Sequence, residues 1–244
     1  MRVAVYTFAW NESRLVPYFL RHYLPWVDRI VVYDHRSTDG TPEMLAQYGP
    51  RVEVRPFDAP SYPEPEPLGH LRRTCWHESR GVHDWAVVVD FDEFLHHPLG
   101  VLTYLSRVYA EGHTFVQTYG WQMVSEEFPP PHVALTSAVR NGVPHHWYHK
   151  PVVFRPEQFS DIVWLPGCHD VAATGNFRLL RSGSLSLLHY KNLGYAYLRA
   201  RNAAYRSRMQ DVAQLKTLGH YIDRGDAEER QQFDDLLARA VEVV

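Results

Sequence analysis

Cysteine occurs only twice in this chain, at Cys75 and Cys168. Two such residues make neither a disulfide framework nor a zinc site. Long apolar runs are also missing, and none approaches the roughly 20 residues that cross a bilayer. Met1-Arg2 leads at once into a strand-like run, so no signal peptide is expected. These absences point to the cytoplasm and to a chain without a transmembrane segment, leaving peripheral association with a membrane open. There is no excess of positive charge: the formal net charge of -3 gives no bulk attraction for nucleic acid. Neither an internal repeat nor a linker divides the sequence. We therefore expect one α/β domain over residues 1–244, a length sufficient for a full core.

What is present is an ordinary globular balance, 45% hydrophobic and 22% charged, which excludes a disordered chain. The most informative stretch is Trp85-Ala-Val-Val-Val-Asp-Phe-Asp-Glu-Phe-Leu-His-His97. Ala86 to Val89 form an unbroken apolar run without polar alternation, which suits a strand buried on both faces of a parallel sheet. It ends in Asp90, Asp92 and Glu93, at the strand end where ligands of such sheets bind. If the chain is still extended there, Asp90 and Asp92 point one way and Phe91 the other. Two oxygen donors on one side suit a hard divalent cation, which can hold the phosphates of a substrate. Uncompensated acids at a buried strand end would repel one another, which disfavours a plain solvated terminus.

Earlier in the chain, strands are expected at Val3–Phe8, Arg29–Tyr33 and Val52–Pro56. Between them, Leu15, Val16, Phe19, Leu20, Tyr23 and Leu24 have helical spacing, and Pro42 suits a first helical position with Thr41 as cap. Asn11 and Glu12 leave the first strand beside any site at that edge, although Asn11 alone could cap the helix. The resulting β-α-β-α-β order predicts a parallel sheet with right-handed crossovers. Four prolines within residues 59–67 exclude regular helix there. Leu68, Leu71 and Cys75 mark a helix leading to the central strand. Beyond it, a helix is expected over Leu99–Tyr109 and a strand over Thr114–Tyr119. The pattern then loosens through Pro129-Pro130-Pro131 and His145-His146-Trp147-Tyr148-His149. Three histidines in five residues suggest metal, but an aromatic run before Pro151 reads better as packed strand. Short strands at Val152–Arg155, Phe177–Leu180 and Leu185–Tyr190 are separated by turn signals at Pro166-Gly167 and Ser182-Gly183. Helices are expected over Leu193–Met209, with Arg199, Arg201, Arg206 and Arg208 outward, and over Asp226–Val243.

Three stretches then resemble the family 2-like glycosyltransferases of the GT-A fold: Val5-Tyr-Thr-Phe-Ala-Trp-Asn-Glu12, Asp34-His-Arg-Ser-Thr-Asp-Gly-Thr41 and Asp90-Phe-Asp-Glu-Phe94. The nearest branch is the one whose metal motif reads Asp-x-Asp-Glu-Phe. Lys150 to Pro156 and His189-Tyr190 look like later landmarks of that branch. The resemblance is good over the first half and thin over the second. It implies a Rossmann-like, mostly parallel sheet flanked by helices, with a nucleotide-sugar half over 1–120 and an acceptor-side half with C-terminal helices over 121–244. It implies a metal-dependent, inverting transfer of a sugar from a nucleotide sugar, expected to be UDP-linked, to a hydroxyl of a glycan or other acceptor, as in polysaccharide biosynthesis.

Position by position, the resemblance implies that Thr7, Phe8 and Asp34 hold base and ribose, with Asp39, Asn11 and Glu12 nearby and Lys150 among the donor contacts. Asp92 would bind Mn²⁺ or Mg²⁺ directly, and Asp90 would reach the ribose, or the metal through water. Glu93 would orient these groups. His189 would close over metal or diphosphate, or else be a packed histidine. His169 and Asp170 would sit where the acceptor enters, with Asp170 as general base and Glu126 and Glu127 as rivals. An Asp-x-Asp at a strand end also opens the site of haloacid-dehalogenase-like phosphatases. There it follows the first core strand and continues into Thr or Val, whereas here Asp90 follows a fourth strand and Glu93 comes next. A non-catalytic nucleotide-sugar-binding module is the third reading, because no Glu-Asp base pair stands out in the second half.

Overall fold

Four short runs rich in Val, Ile and aromatic residues form the parallel heart of the sheet: β1 (Val3–Ala9), β2 (Arg29–Asp34), β3 (Val52–Pro56) and β4 (Trp85–Val88). In the computed structural model, which describes residues 1–58, 65–165, 170–208 and 225–244, they lie in the order β3-β2-β1-β4. The side chains of residues 65–67 and Ser182 are outside this description. Crossovers run through α1 (Val16–Tyr23), α2 (Thr41–Ala46) and α3 (Pro65–Thr74). Both sheet faces are covered, which explains the lack of polar alternation. Val5, Val32 and Val87 pack on one face with Phe19, while Tyr6, Val31 and Ala86 pack on the other with Trp76.

The rest of the chain extends this sheet. β5 (Glu93–His96) and α4 (Val101–Ala110) lead to a long β6 (Phe115–Ser125). Next come α5 (Leu135–Ala138), β7 (Asn141–Pro144) and β8 (Val153–Phe154). β9 (Phe159–Trp164) and β10 (Val171–Gly175) form a separate antiparallel pair. β11 (Leu179–Leu193), α6 (Tyr195–Arg208), α7 (Asp226–Arg239) and β12 (Val241–Glu242) complete the described elements. Among the described residues the main sheet has ten strands in the order β12-β7-β6-β8-β4-β1-β2-β3, and β11 joins β6 in parallel and β5 in antiparallel pairing. This is the expected mixed α/β architecture, with a large, mostly parallel sheet flanked by helices. No helix of the described residues is long and apolar enough to cross a membrane.

Several local expectations need correction. Thr41 does not cap α2: Gly40 holds that place with φ 85°, and the Thr41 hydroxyl donates to Asp39 Oδ1 at 2.6 Å. Asn11 does not cap α1 either. With φ 55°, it bends back so that its Oδ1 accepts the Thr38 N–H at 2.7 Å. The two strands expected at 177–180 and 185–190 are one strand, β11, whose register with β6 shifts between Arg181 and Ser186. The turn signal at Ser182-Gly183 thus marks an irregularity, as glycine within a strand often does. The helix expected over Asp226–Val243 stops at Arg239 and yields to β12. The aromatic run at 145–149 contains a 3-10 turn, His146–Tyr148, in place of the packed strand. The turn signal at Pro166-Gly167 and residues 59–64 of the proline loop lie outside the described residues. α3 nevertheless begins at Pro65, inside the stretch expected to exclude regular helix, because proline is tolerated in a helix's first turn.

Candidate active site

The acids after β4 do not continue an extended strand. The Glu93 N–H donates to the Asp90 carbonyl and the Asp90 N–H donates to Glu93 Oε2, both at 3.0 Å, closing a tight turn. Phe91, at the bend, is buried and stacks on Phe19 with ring centroids 4.4 Å apart. Removing a buried phenylalanine costs about 3–5 kcal/mol, so this ring anchors the turn. Phe91 does point away from the acids. Asp90 and Asp92, in contrast to the extended-chain expectation, serve two different clusters of cations.

Asp90 faces Arg72 from α3 and Lys150. Arg72 donates to Asp90 Oδ1, and Lys150 Nζ lies 3.5 Å from Oδ2 and 2.5 Å from Glu93 Oε1. Lys150 is almost fully buried. Burial works against its charge, but Glu93 and Asp90 outweigh that and hold its pKa above the usual lysine range. Burial likewise disfavours the Asp90 carboxylate, yet Arg72 and Lys150 keep its pKa low. Lys150 therefore stands beneath the acids as their counter-charge.

Asp92 faces β11 and α6. Its Oδ2 is 3.3 Å from His189 Nε2 and 3.0 Å from Arg201 Nη2, while Arg201 Nη1 donates to Glu12 Oε2 at 2.7 Å. The Tyr190 N–H donates to the Asp92 carbonyl at 2.8 Å, which ties β11 to the acid turn. Burial would raise the Asp92 pKa, but His189 and Arg201 overcome it and hold the carboxyl well below its usual range. Glu12 shares the same guanidinium less successfully. Burial pushes its pKa up to about 7 against the pull of Arg201, with the Asp92 charge adding to the rise. Burial also brings Lys191 down to about 8, helped by Arg201. The outward placement expected of Arg201 is thus overturned: two carboxylates from distant strand ends draw it inward. Arg206 turns to Glu229 at 2.8 Å, and Arg199 stays half-exposed.

The loops after β1 and β2 are laced together. Parallel pairing aligns Ala9 with Asp34, so the Asn11 and Asp39 loops meet. The Glu12 N–H donates to Thr41 Oγ1 and the Ser13 N–H to Asp39 Oδ2, both at 2.9 Å. Asp34 Oδ2 accepts the Ser37 N–H at 3.0 Å. Its Oδ1, like Thr7 Oγ1, is buried without a hydrogen-bond partner among the described residues. Phe8 stacks near Tyr33 at 5.9 Å, and Arg72 lies 4.4 Å over the Phe8 ring. A cavity of about 180 Å³ opens beside this lattice, lined by Asn11, Glu12, Asp39, Tyr197, Arg201 and Tyr205.

The structure thus joins Asp92 to His189 directly and to Glu12 through Arg201, sets Asp90 and Lys150 alongside, and brings Thr7, Phe8, Asn11, Asp34 and Asp39 to the same sheet edge. Asp170 is not brought into this network. It is exposed, and its Oδ1 accepts the Val171 N–H at 2.8 Å at the start of β10. His169 lies outside the described residues. Glu126 and Glu127 are exposed beyond the end of β6. Arg72, Arg201, Gln122 and Tyr148 are the site's unforeseen members, since nothing local in the sequence marks them.

Among the described residues no group of three or more His, Cys, Asp and Glu side chains surrounds a common point. The Asp92 carboxylate and the His189 imidazole still fit a divalent cation. Neighbouring ligands of an octahedral ion with bonds near 2.1 Å lie about 3 Å apart. The Asp92–His189 separation of 3.3 Å is close to that spacing. Mg²⁺-like ions take one or two protein ligands and fill the rest with phosphate and water.

The chain is similar to glycosyltransferases. An uncharacterized glycosyltransferase from Rickettsia felis is 28% identical over 94 residues, covering 38% of this chain and 30% of that relative. The match thus spans less than a third of the relative's length. Among solved structures, S. aureus TarS covers 98% of this chain and 43% of its own, with 13% identity and a TM-score of 0.47. TarS 1-349 in complex with UDP-GlcNAc gives 13% identity and a TM-score of 0.40, over 98% of this chain and 72% of that one. Glucosyl-3-phosphoglycerate synthase from Mycobacterium tuberculosis, in complex with Mn²⁺, UDP and glucosyl-3-phosphoglycerate, is 24% identical with a TM-score of 0.34. That match covers 49% of this chain and 44% of that one. No protein-family model matches the chain.

Proposed function

We propose that the protein is a glycosyltransferase that moves a sugar from a UDP-linked donor to a hydroxyl of a glycan or other acceptor, with inversion, in the cytoplasm. The observation that carries this reading is the Asp92–His189 pair, 3.3 Å apart, together with Asp34 Oδ1, which is buried without a partner among the described residues. A carboxylate with a bare acceptor suits the N–H or O–H donors of base and ribose, and the Asp92–His189 pair suits a cation. Mn²⁺ or Mg²⁺ held by Asp92 and His189 would act as a Lewis acid toward the leaving diphosphate.

The chain's own residues do the rest. Asp34 and Thr7 receive the nucleoside between β1 and β2, with Phe8 beneath it. Arg72 and Lys150 neutralise Asp90, so that an anionic donor can approach three acids without net repulsion. Arg201, anchored by Glu12, turns from Asp92 to the diphosphate as the donor arrives. The half up to residue 120 supplies the nucleoside pocket and the acid turn, and the half from 121 supplies the acceptor side and lends Lys150, His189 and Arg201 to the donor site. Asp170 is our candidate for the group that takes the acceptor proton.

A thermal-shift panel of nucleotide sugars, with and without Mn²⁺, tests the reading, because at a given concentration a tighter ligand stabilises the native state more. Wild-type protein is expected to gain stability from a UDP-sugar chiefly when Mn²⁺ is present, and Asp92→Asn is expected to lose that gain with its fold intact. Undiminished Mn²⁺-dependent binding by Asp92→Asn would remove Asp92 from the role.

A further inference from the structure

His189 is held on three sides. The parallel register of β11 with β6 sets it directly opposite Gln122. Its Nδ1 is 3.2 Å from Gln122 Oε1, while Nε2 faces Asp92 Oδ2 at 3.3 Å. Tyr148 covers the ring face, with centroids 4.1 Å apart and planes at 23°. Tyr148 is itself fixed: Thr118 Oγ1 donates to its carbonyl at 3.2 Å, and its N–H donates to the His145 carbonyl at 3.0 Å. The same ring lies 5.4 Å from Lys150 Nζ, so it touches the partners of both Asp92 and Asp90.

We propose that Gln122 and Tyr148 are positioning residues that prepare His189 to bind a divalent cation through Nε2. The proposal rests on the glycosyltransferase reading of the Asp92–His189 pair. An amide oxygen can only accept, so Gln122 Oε1 requires the proton on Nδ1 and leaves the Nε2 lone pair toward the space shared with Asp92. A ligating histidine whose other ring nitrogen donates to an oxygen has a fixed tautomer and a fixed ring plane. The Tyr148 face removes the remaining freedom, rotation about the Cβ–Cγ bond. A neutral ring donating its Nε2 proton to Asp92 would need the Gln122 amide nitrogen turned toward Nδ1, and a ring carrying both protons would meet both partners without an ion.

Free Mn²⁺ measured by electron paramagnetic resonance in the presence of UDP tests this without turnover. Gln122→Leu is expected to lower Mn²⁺ affinity by about ten- to a hundredfold, the usual loss when a ligand's supporting hydrogen bond goes. Tyr148→Leu should lower it by roughly two- to tenfold, the equivalent of one ring stack. Gln122→Glu keeps the acceptor oxygen and should retain the affinity. Wild-type affinity in Gln122→Leu while His189→Ala loses it would overturn the proposal, as would equal losses in Gln122→Leu and Gln122→Glu. No Mn²⁺ uptake by the wild type, or wild-type uptake by His189→Ala, would instead strike the reading of the ion site and take the proposal with it. Should Gln122→Leu not fold, ¹⁵N NMR of the wild-type protein with Mg²⁺ and UDP decides. The His189 signal, assigned by its absence in His189→Ala, should show a protonated Nδ1. A protonated Nε2 with a bare Nδ1 would overturn the proposal.

Discussion

One oxygen of Asp34 accepts the Ser37 N–H at 3.0 Å, and the other is buried with no partner among the described residues. Leaving a buried acceptor unmade costs about 1–3 kcal/mol, and more when it is charged. A donor from outside the protein recovers that cost, which is how a site can be built at the expense of stability. On the proposed reading, Asp34 at the end of β2 and Thr7 in β1 receive the nucleoside. Asp34→Ala should therefore weaken UDP by roughly ten- to a hundredfold, the equivalent of about 1.5–3 kcal/mol for a hydrogen bond to a charged group. The same loss should appear with and without Mn²⁺ in calorimetric titrations. A loss seen only with Mn²⁺ would move Asp34 into the ion's surroundings. Arg201 shows the opposite balance, with more anions than one guanidinium can satisfy. Glu12 and Asp92 both lean on it, and the buried Glu12 is the one whose ionisation suffers.

At the scale of elements, β6 matters most, because it carries Gln122 and also Gly120. A Cβ on Gly120 would lie 2.3 Å from the Tyr148 carbonyl carbon and 2.5 Å from its oxygen. Backbone cannot retreat as a side-chain tip can, so Gly120→Ala must push the 146–148 turn away from β6. Overpacking of this kind costs about 1–3 kcal/mol. Urea unfolding should show that loss for Gly120→Ala and almost none for Gly183→Ala, where nothing lies within 4 Å of an added Cβ. Equal midpoints for the two variants would show that the turn yields freely. Such contacts explain what the sequence could and could not reveal. β1, β2, β3 and β4 were readable because each is a short apolar run bounded by turn chemistry, and the three loops at their ends were readable as motifs. The approach of Tyr148 to Gly120, the pairing of Gln122 with His189 and the inward turn of Arg201 depend on partners far along the chain. No local periodicity records them. Helical spacing made α6 visible, but an arginine's direction on it is set by Glu12 and Asp92. The β9–β10 pair was missed because Ser160 and Asp161 interrupt the apolar residues of β9 and because β10 is small and largely exposed, so neither reads as a buried run.

For the molecule as a whole, these electrostatic choices meet in the dependence of stability on pH. Burial pushes the pKa values of His22, His83 and His96 below the usual histidine range. The unfolded chain then binds more protons near pH 6, so these residues make stability rise with pH through that region. Asp92 acts in the same direction lower down. Burial opposes its charge, but His189 and Arg201 depress its pKa, so its contribution is present above pH 3.8 and is lost as pH falls through that region. Glu12 runs the other way. Its pKa rises from 4.5 to about 7 through burial, so within this interval the folded protein keeps a proton that the unfolded chain has released. Its contribution is full below 4.5 and is lost as pH rises to about 7. The histidines mask this in the wild-type curve, but Glu12→Gln isolates it, because the amide keeps the shape and never ionises. The urea midpoint of Glu12→Gln relative to wild type should climb between about pH 5 and pH 7.5. A constant difference would mean that Glu12 ionises in the folded protein as it does in the unfolded chain. A difference that is flat over this range and changes only below about pH 4.5 would mean that Arg201 wins outright and holds Glu12 charged, so that the pair stabilises the fold at neutral pH.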